Sequence, residues 1–224
     1  MTVFKTPEQV LRELGMTRPE HLDFEVIAWH CDATVVYEPL AGCEASIIGR
    51  DHRAIITVNN RSPRARQRFS IGHELGHWMR DRGTIGAACD KSKMSPQRRA
   101  DGPEHLANVY AADLLLPAAM FVPRAKERPI TFETVRSLAS DFGASLTATA
   151  IRLVQKGSFP SIVLYTDKSG RKWAVRGDSV PARLTLHREP GTGTLAHDLS
   201  HARDASTPMD VRSNEWFESL KRLD

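Results

Sequence analysis

His73-Glu74-Leu75-Gly76-His77 constrains this chain more than any other stretch, because it spells H-E-x-x-H inside a segment whose apolar positions suit a helix. Over 64–79, Phe69, Ile71, Leu75 and Trp78 recur at helical spacing after the start signal Ser62-Pro63. Residues four apart on a helix share a face, so the two imidazoles can reach one ion together. Neutral imidazole is a zinc ligand, and Glu74 stands beside the pair, where it can take a proton from a metal-activated water. Any fold that honours the motif must therefore bring a further ligand to that face.

Three protein ligands plus water make a catalytic zinc site, and two histidines leave one ligand to find. The candidates downstream are Asp81, Asp90, Asp101, Glu104, His105 and Asp113. A strong helix is expected from about Pro103 to Leu116, stopping at Pro117. On it Ala107, Asn108 and Ala111 share the face of Glu104 at i+3, i+4 and i+7. Small residues there let the helix approach the motif helix closely, which favours Glu104. His105 points about 100° away, and Asp113 lies on another face, where it is expected to be solvated or to pair with a base. Asn108 and Asp81 are the candidate hydrogen-bond partners of the imidazoles, whose second ring nitrogen needs one. For the oxyanion, Tyr110, His52 and Arg68 come into question, each with a plainer role: Tyr110 as core, His52 in a turn, Arg68 paired with a carboxylate.

Two blocks, from Arg68 to His77 and from Glu104 to Pro117, resemble the signature blocks R-F-T-x-A-H-E-x-G-H and E-x-x-A-N-x-F-A-A-x-L-L-M-P of the ImmA/IrrE metallo-endopeptidases. The departures are Ser70, Gly72, Tyr110 and Leu116. The resemblance implies a zincin-like body binding Zn2+ through His73, His77 and Glu104, with Glu74 as catalytic base. It also implies a protein substrate, a helix-turn-helix repressor cut to relieve repression. It covers roughly residues 20–155.

The rest of the chain reads as α+β: a small N-terminal β-sheet packed on the helical body, then a β-containing C-terminal extension. A short helix should open at Thr6-Pro7 and end near Gly15, and a second should start around Pro19 with Leu22, Val26, Ile27 and Trp29 inward. Strands are expected at 34–37, 45–48 and 54–58. A long polar loop is expected from Gly83 to Pro103, carrying Cys89 between the two ligand helices. Two helices should meet at Gly143, with Ser145 capping the second. A hairpin follows at 161–165 and 172–175, then a loosely ordered stretch at 190–208 and a terminal helix at 214–223. The corresponding division is 1–126, a metallopeptidase core; 127–157, a helix-turn-helix-like pair; and 158–224, the extension.

Net charge is +4, too mild for a nucleic-acid-binding tail. Direct DNA binding would have to come from 135–153, which resembles a helix-turn-helix, but its second helix offers mainly Arg152, Gln155 and Lys156 for a groove. That leaves a non-proteolytic DNA-binding or protein-interaction regulator as the alternative function. The 3 cysteines, Cys31, Cys43 and Cys89, form no C-x-x-C and read as reduced thiols. With no signal-like N-terminus and no run long enough to span a membrane, a cytoplasmic location is expected.

Overall fold

The computed structural model describes residues 4–82, 84–90, 102–201 and 210–218, of which 84–90 by backbone course. The chain is α+β, as the pattern of elements predicts. Thr6 opens α1 (Pro7–Glu13) with a capping box shared with Gln9. The expected second helix begins later than Pro19. Pro19–His21 is a single 3₁₀ turn, and Asp23 then accepts from the amides of Glu25 and Val26 to start α2 (Phe24–His30). Its inward face is Phe24, Ile27, Ala28 and Cys31, whereas Trp29 is 76% exposed and Val26 42%. Phe24 and Cys31 complete an i, i+3, i+4, i+7 stripe that leaves Trp29 outside.

Strands β1 (Ala33–Glu38), β2 (Cys43–Arg50) and β3 (Arg53–Asn59) stand where β-branched runs predict them. The sheet order is β1-β3-β2-β4, with β1 parallel to β3 and β2 antiparallel to both β3 and β4. Strand β4 (Thr84–Asp90) corrects the expectation of a long loop from Gly83 to Pro103. Thr-Ile-Gly-Ala-Ala-Cys-Asp has neither alternation nor bulk, and it is the long β2 edge that supplies its hydrogen bonds. Cys89 thus lies in a strand, opposite Ala45. Residues 91–101, the remainder of that loop, lie outside the described residues.

One face of the sheet is buried through Ala45, Ile47, Ala54, Ile56 and Val58. Against it runs α3 (Arg64–Arg80), the motif helix, with Ile71, Leu75 and Trp78 fully buried. Behind α3 lies α4 (Pro103–Leu115), followed in the chain by α5 (Ala118–Ala125). Next come α6 (Phe132–Phe142) and α7 (Leu146–Lys156), capped by Thr131 and Ser145 and joined, as expected, at Gly143, whose φ of 58° needs no Cβ. One buried cluster runs from Val10 to Leu153 and takes in Val135, Leu138 and Phe142, so this helical pair shares the core of the body.

The hairpin of β5 (Ile162–Asp167) and β6 (Gly170–Arg176) follows. Within the stretch expected to be loosely ordered, Thr194 caps α8 (Leu195–Ser200), and 202–209 lie outside the described residues. The described part of the expected terminal helix holds a single 3₁₀ turn, Ser213–Glu215, after which Phe217 bridges to Leu186. Residues 219–224 lie outside the described residues. No single helix among those described is long and apolar enough to cross a membrane.

Cys31 closes α2 beneath this core, 1% exposed, and its thiol pKa is raised to about 11, chiefly by burial. A rise of two units leaves about a hundredfold less thiolate than an unshifted thiol carries, and the thiolate is the reactive form. Native protein at pH 8 should therefore alkylate at Cys31 at least about a hundredfold more slowly than the unfolded chain. Peptide mapping after iodoacetamide treatment separates Cys31 from the half-exposed Cys43. Equal rates in the two states would contradict the burial.

Candidate metal centre

The site is made by two helices that touch backbone to backbone. On α3, Gly72 and Gly76 face Ala111 and Ala107 of α4. A Cβ added at Gly76 would stand 2.8 Å from Ala107 Cα, and one at Gly72 would stand 3.1 Å from Ala111 Cα. Gly-x-x-x-Gly against Ala-x-x-x-Ala removes the side chains that normally hold packed helices 8–10 Å apart. Since α4 is anchored so close, Glu104, one turn before Asn108, is delivered onto the His73–His77 face.

The Nε2 atoms of His73 and His77 lie 3.2 Å apart. The two oxygens of Glu104 complete the group, Oε2 3.5 Å from His73 Nε2 and Oε1 3.8 Å from His77 Nε2. Of the other sequence candidates, Asp81 pairs with Arg80 at 2.7 Å and Asp113 with Arg152 at 2.8 Å. His105 is not in the group, Asp90 lies in β4, and Asp101 is outside the described residues.

Asn108 Oδ1 lies 2.9 Å from His73 Nδ1. An amide oxygen can only accept, so Nδ1 carries the proton and donates, leaving the Nε2 lone pair aimed at His77 and Glu104. Burial, and then the neighbouring His77, lower the pKa of His73 to about 4. The imidazole is thereby held neutral at physiological pH, the form that ligates. Phe69 stacks on the same ring with centroids 6.3 Å apart, closing it off from the N-terminal side of α3. Glu74 is fully buried beside His73, and both its carboxylate oxygens are shielded from solvent.

Two nitrogens bound at about 2.0–2.1 Å in a tetrahedral shell stand about 3.3 Å apart, and a carboxylate oxygen falls at a similar spacing. The separations of 3.2, 3.5 and 3.8 Å match that shell, and two imidazoles with one carboxylate are a donor set suited to a metal ion.

The oxyanion candidates are occupied elsewhere. The Tyr110 hydroxyl donates to the Lys5 carbonyl at 3.2 Å, and His52 sits in the exposed turn between β2 and β3. Arg68 was expected to pair with a carboxylate. It instead donates to the carbonyls of Leu22, Phe142 and Gly143, with its guanidinium 4.9 Å from the Phe24 ring centroid. The carbonyls win because they terminate the 3₁₀ turn and α6, where no intrahelical donor reaches them. Sequence reasoning passed over the facing roles of Gly72, Gly76 and Phe69. The i, i+4 spacing of the two glycines, matched by Ala107 and Ala111, was the available signal.

The family model of the IrrE N-terminal-like domain, Peptidase M78, matches residues 30–154, more than half of the chain. This chain belongs to that family. The match spans both ligand helices and bears out the resemblance drawn from their two sequence blocks. The family is of the metallopeptidase type. A solved structure of a Mycobacterium tuberculosis transcriptional regulator shares the fold, with a TM-score of 0.56 and 17% identity, over 86% of this chain and 59% of that one. The chain thus spans less than two thirds of that protein's length. No curated protein sequence matches it.

In this IrrE-like domain the helix contact is testable through its glycines. Alanine at Gly76 gains about 1 kcal/mol of helix propensity but must push aside the Ala107 backbone, an overpacking cost of roughly 1–3 kcal/mol. Gly76→Ala is expected to lower the melting temperature by a few degrees, at roughly 2–4 °C per kcal/mol for a chain of this size. Gly72→Ala, with its contacts at 3.1–3.4 Å, should cost less. A Gly76→Ala protein that melts at or above wild type would refute the close-approach account.

Proposed function

We propose that this protein is a zinc-dependent endopeptidase that hydrolyses a peptide bond in a regulatory protein, a helix-turn-helix repressor. The observation that carries the reading is the convergence of His73, His77 and Glu104 within bonding reach of one point, with the carboxylate of Glu74 buried alongside. Two imidazoles and one carboxylate with a water in the fourth position are a ligand set that suits zinc.

His73, His77 and Glu104 would hold the ion. Bound there, zinc supplies Lewis acidity toward a peptide carbonyl and lowers the pKa of water. Glu74 takes the proton as the water oxygen attacks the carbonyl carbon, then delivers it to the departing amide nitrogen as the C–N bond breaks. The second water proton passes to the amine as the new acid ionises, so the products are a carboxylate and an ammonium, and Glu74 is returned to its ionised form. Asn108 keeps His73 in the tautomer that offers Nε2, and Phe69 limits access of water to that ring.

The regulatory substrate rests on family membership, and the transcriptional setting named for the Mycobacterium tuberculosis neighbour accords with it. The DNA-binding alternative is disfavoured by Arg152. That residue is 6% exposed and donates to the Leu116 carbonyl while pairing with Asp113, so it closes α4 and faces away from any groove. The buried thiol of Cys31 accords with a reducing, cytoplasmic location.

Three substitutions test the assignment. Glu104→Ala should drop zinc content from about one per chain toward zero, as read by metal analysis. Asn108→Ala should weaken zinc about 10–100-fold in a chelator competition. Glu74→Gln should keep its zinc and lose hydrolysis by about 10²–10⁴-fold. Because the repressor is unnamed, cleavage is read by mass spectrometry of new protein N-termini in cells carrying wild type or Glu74→Gln. A neo-N-terminus in one regulatory protein, present only with wild type, is expected. The peptidase reading fails if the two proteomes match while both proteins are zinc-loaded.

A further inference from the structure

The C-terminal hairpin carries two concavities that meet at one residue. The first, about 620 Å³, is lined by β5 together with Val180, Leu184, Trp216 and Phe217. The second, about 570 Å³, is lined by β6 with Arg188. Leu186 lines both. The register explains why they are contiguous. Ile162 pairs with Arg176 and Leu164 with Ala174, and residues directly opposite in an antiparallel ladder project on the same face. Ile162 and Leu164 of the apolar concavity therefore lie beside Arg176, Ala174 and Lys172 of the cationic one, a strand spacing away. The aromatic pair Tyr165–Trp173, with ring centroids 5.8 Å apart, takes the alternate positions of the ladder.

The two halves differ sharply in chemistry. Among the described residues, no charged one lines the apolar half. The other holds Arg171, Lys172, Arg176 and Arg188, and among the described residues no carboxylate lines it. Arg171 is held by the His187 carbonyl, and Arg176 by those of Pro181 and Leu184, so their positive charge is oriented but not neutralised. Lys172 has Asp167 at 3.2 Å, outside the lining.

We infer that this trough binds an amphipathic anion, a single alkyl chain along Ile162, Leu164, Leu184 and Phe217 with a carboxylate or phosphate head among Lys172, Arg176 and Arg188. Each half falls within the 300–1,000 Å³ of small-molecule sites. An apolar trough ending in fixed guanidinium groups complements such a ligand and rejects its neutral and cationic counterparts. The inference is independent of the peptidase reading, since it requires no turnover.

The test is titration of the full chain with decanoate, decyl phosphate, decanol and decyltrimethylammonium, each below its micellar concentration, read by tryptophan fluorescence, since Trp216 lines the trough. At least one of the two anions should bind tenfold or more tightly than decanol and decyltrimethylammonium. The better of the two identifies the head group. From octanoate to dodecanoate, affinity should rise about fourfold per methylene. The double substitution Lys172→Glu with Arg188→Glu changes two exposed side chains, and it should abolish the preference for anions while circular dichroism stays unchanged. Equal affinity across head groups, no binding, or an anion preference that survives the double substitution would overturn the inference. So would binding that emerges only after truncation beyond Glu218, because the occupant would then be this chain's own C-terminal segment.

Discussion

Everything the candidate site can do depends on how near α4 comes to α3. The ligand atoms of His73, His77 and Glu104 belong to helices that would stand several ångströms farther apart if ordinary side chains met between them. At Gly76 even a methyl group is excluded, since its position falls 2.8 Å from the Ala107 α-carbon. The same contact excludes sliding: a shift of α4 by one residue would rotate Glu104 by about 100° off the shared face. Glycine is costly inside a helix, by about 1 kcal/mol relative to alanine. Two of them inside the longest described helix, one turn apart and both at the α4 contact, are therefore a packing device. The burial of Ile71, Leu75 and Trp78 on the opposite side of α3, against the sheet, compensates for it.

Two arginines tie the helical pair α6–α7 to that arrangement. Arg68 reaches from the motif helix to the C-terminal carbonyls of α6, and Arg152 reaches from α7 to the carbonyl of Leu116 at the end of α4. Both use a guanidinium where a helix end leaves carbonyls without intrahelical donors. Hydrogen bonds of this charged type contribute about 1.5–3 kcal/mol each. The segment that resembles a DNA-reading motif is, in three dimensions, a clamp across the ends of the two helices that form the candidate site. Its one buried cation is the residue that groove recognition would need exposed.

Around the metal group, the electrostatics favour ligation without a surplus of charge. Burial keeps His73 neutral, and Asn108 fixes which nitrogen faces inward without adding a second negative charge beside Glu104. The helix that supplies the third candidate ligand thereby also supplies, one turn on, the group that orients the first. Spacing on α4 thus links the ligand set to its own alignment, which is why Glu104 and Asn108 read together as one unit.

Much of this was legible before folding. Helical spacing put His73 and His77 on one face, and the small residues beside Glu104 singled it out from five competitors. The capping residues Thr6, Thr131 and Ser145 and the glycine joint at 143 marked helix ends through local hydrogen bonding alone. What escaped was non-local. Strand β4 is composed of residues with little strand preference and exists because β2 offers an edge. Trp29 looked like core but faces out, since Phe24 and Cys31 had already filled the inward stripe of α2. Arg68 looked like half of an ion pair, and only the packed ends of other elements revealed its carbonyl partners. The sequence by itself determined the groups available, two imidazoles and a carboxylate with a second carboxylate beside the pair, because spacing along a helix is a local property. Only the tertiary structure decided how close those groups come, because that distance is set by backbones meeting at Gly76 and Ala107, thirty-one residues apart in the chain.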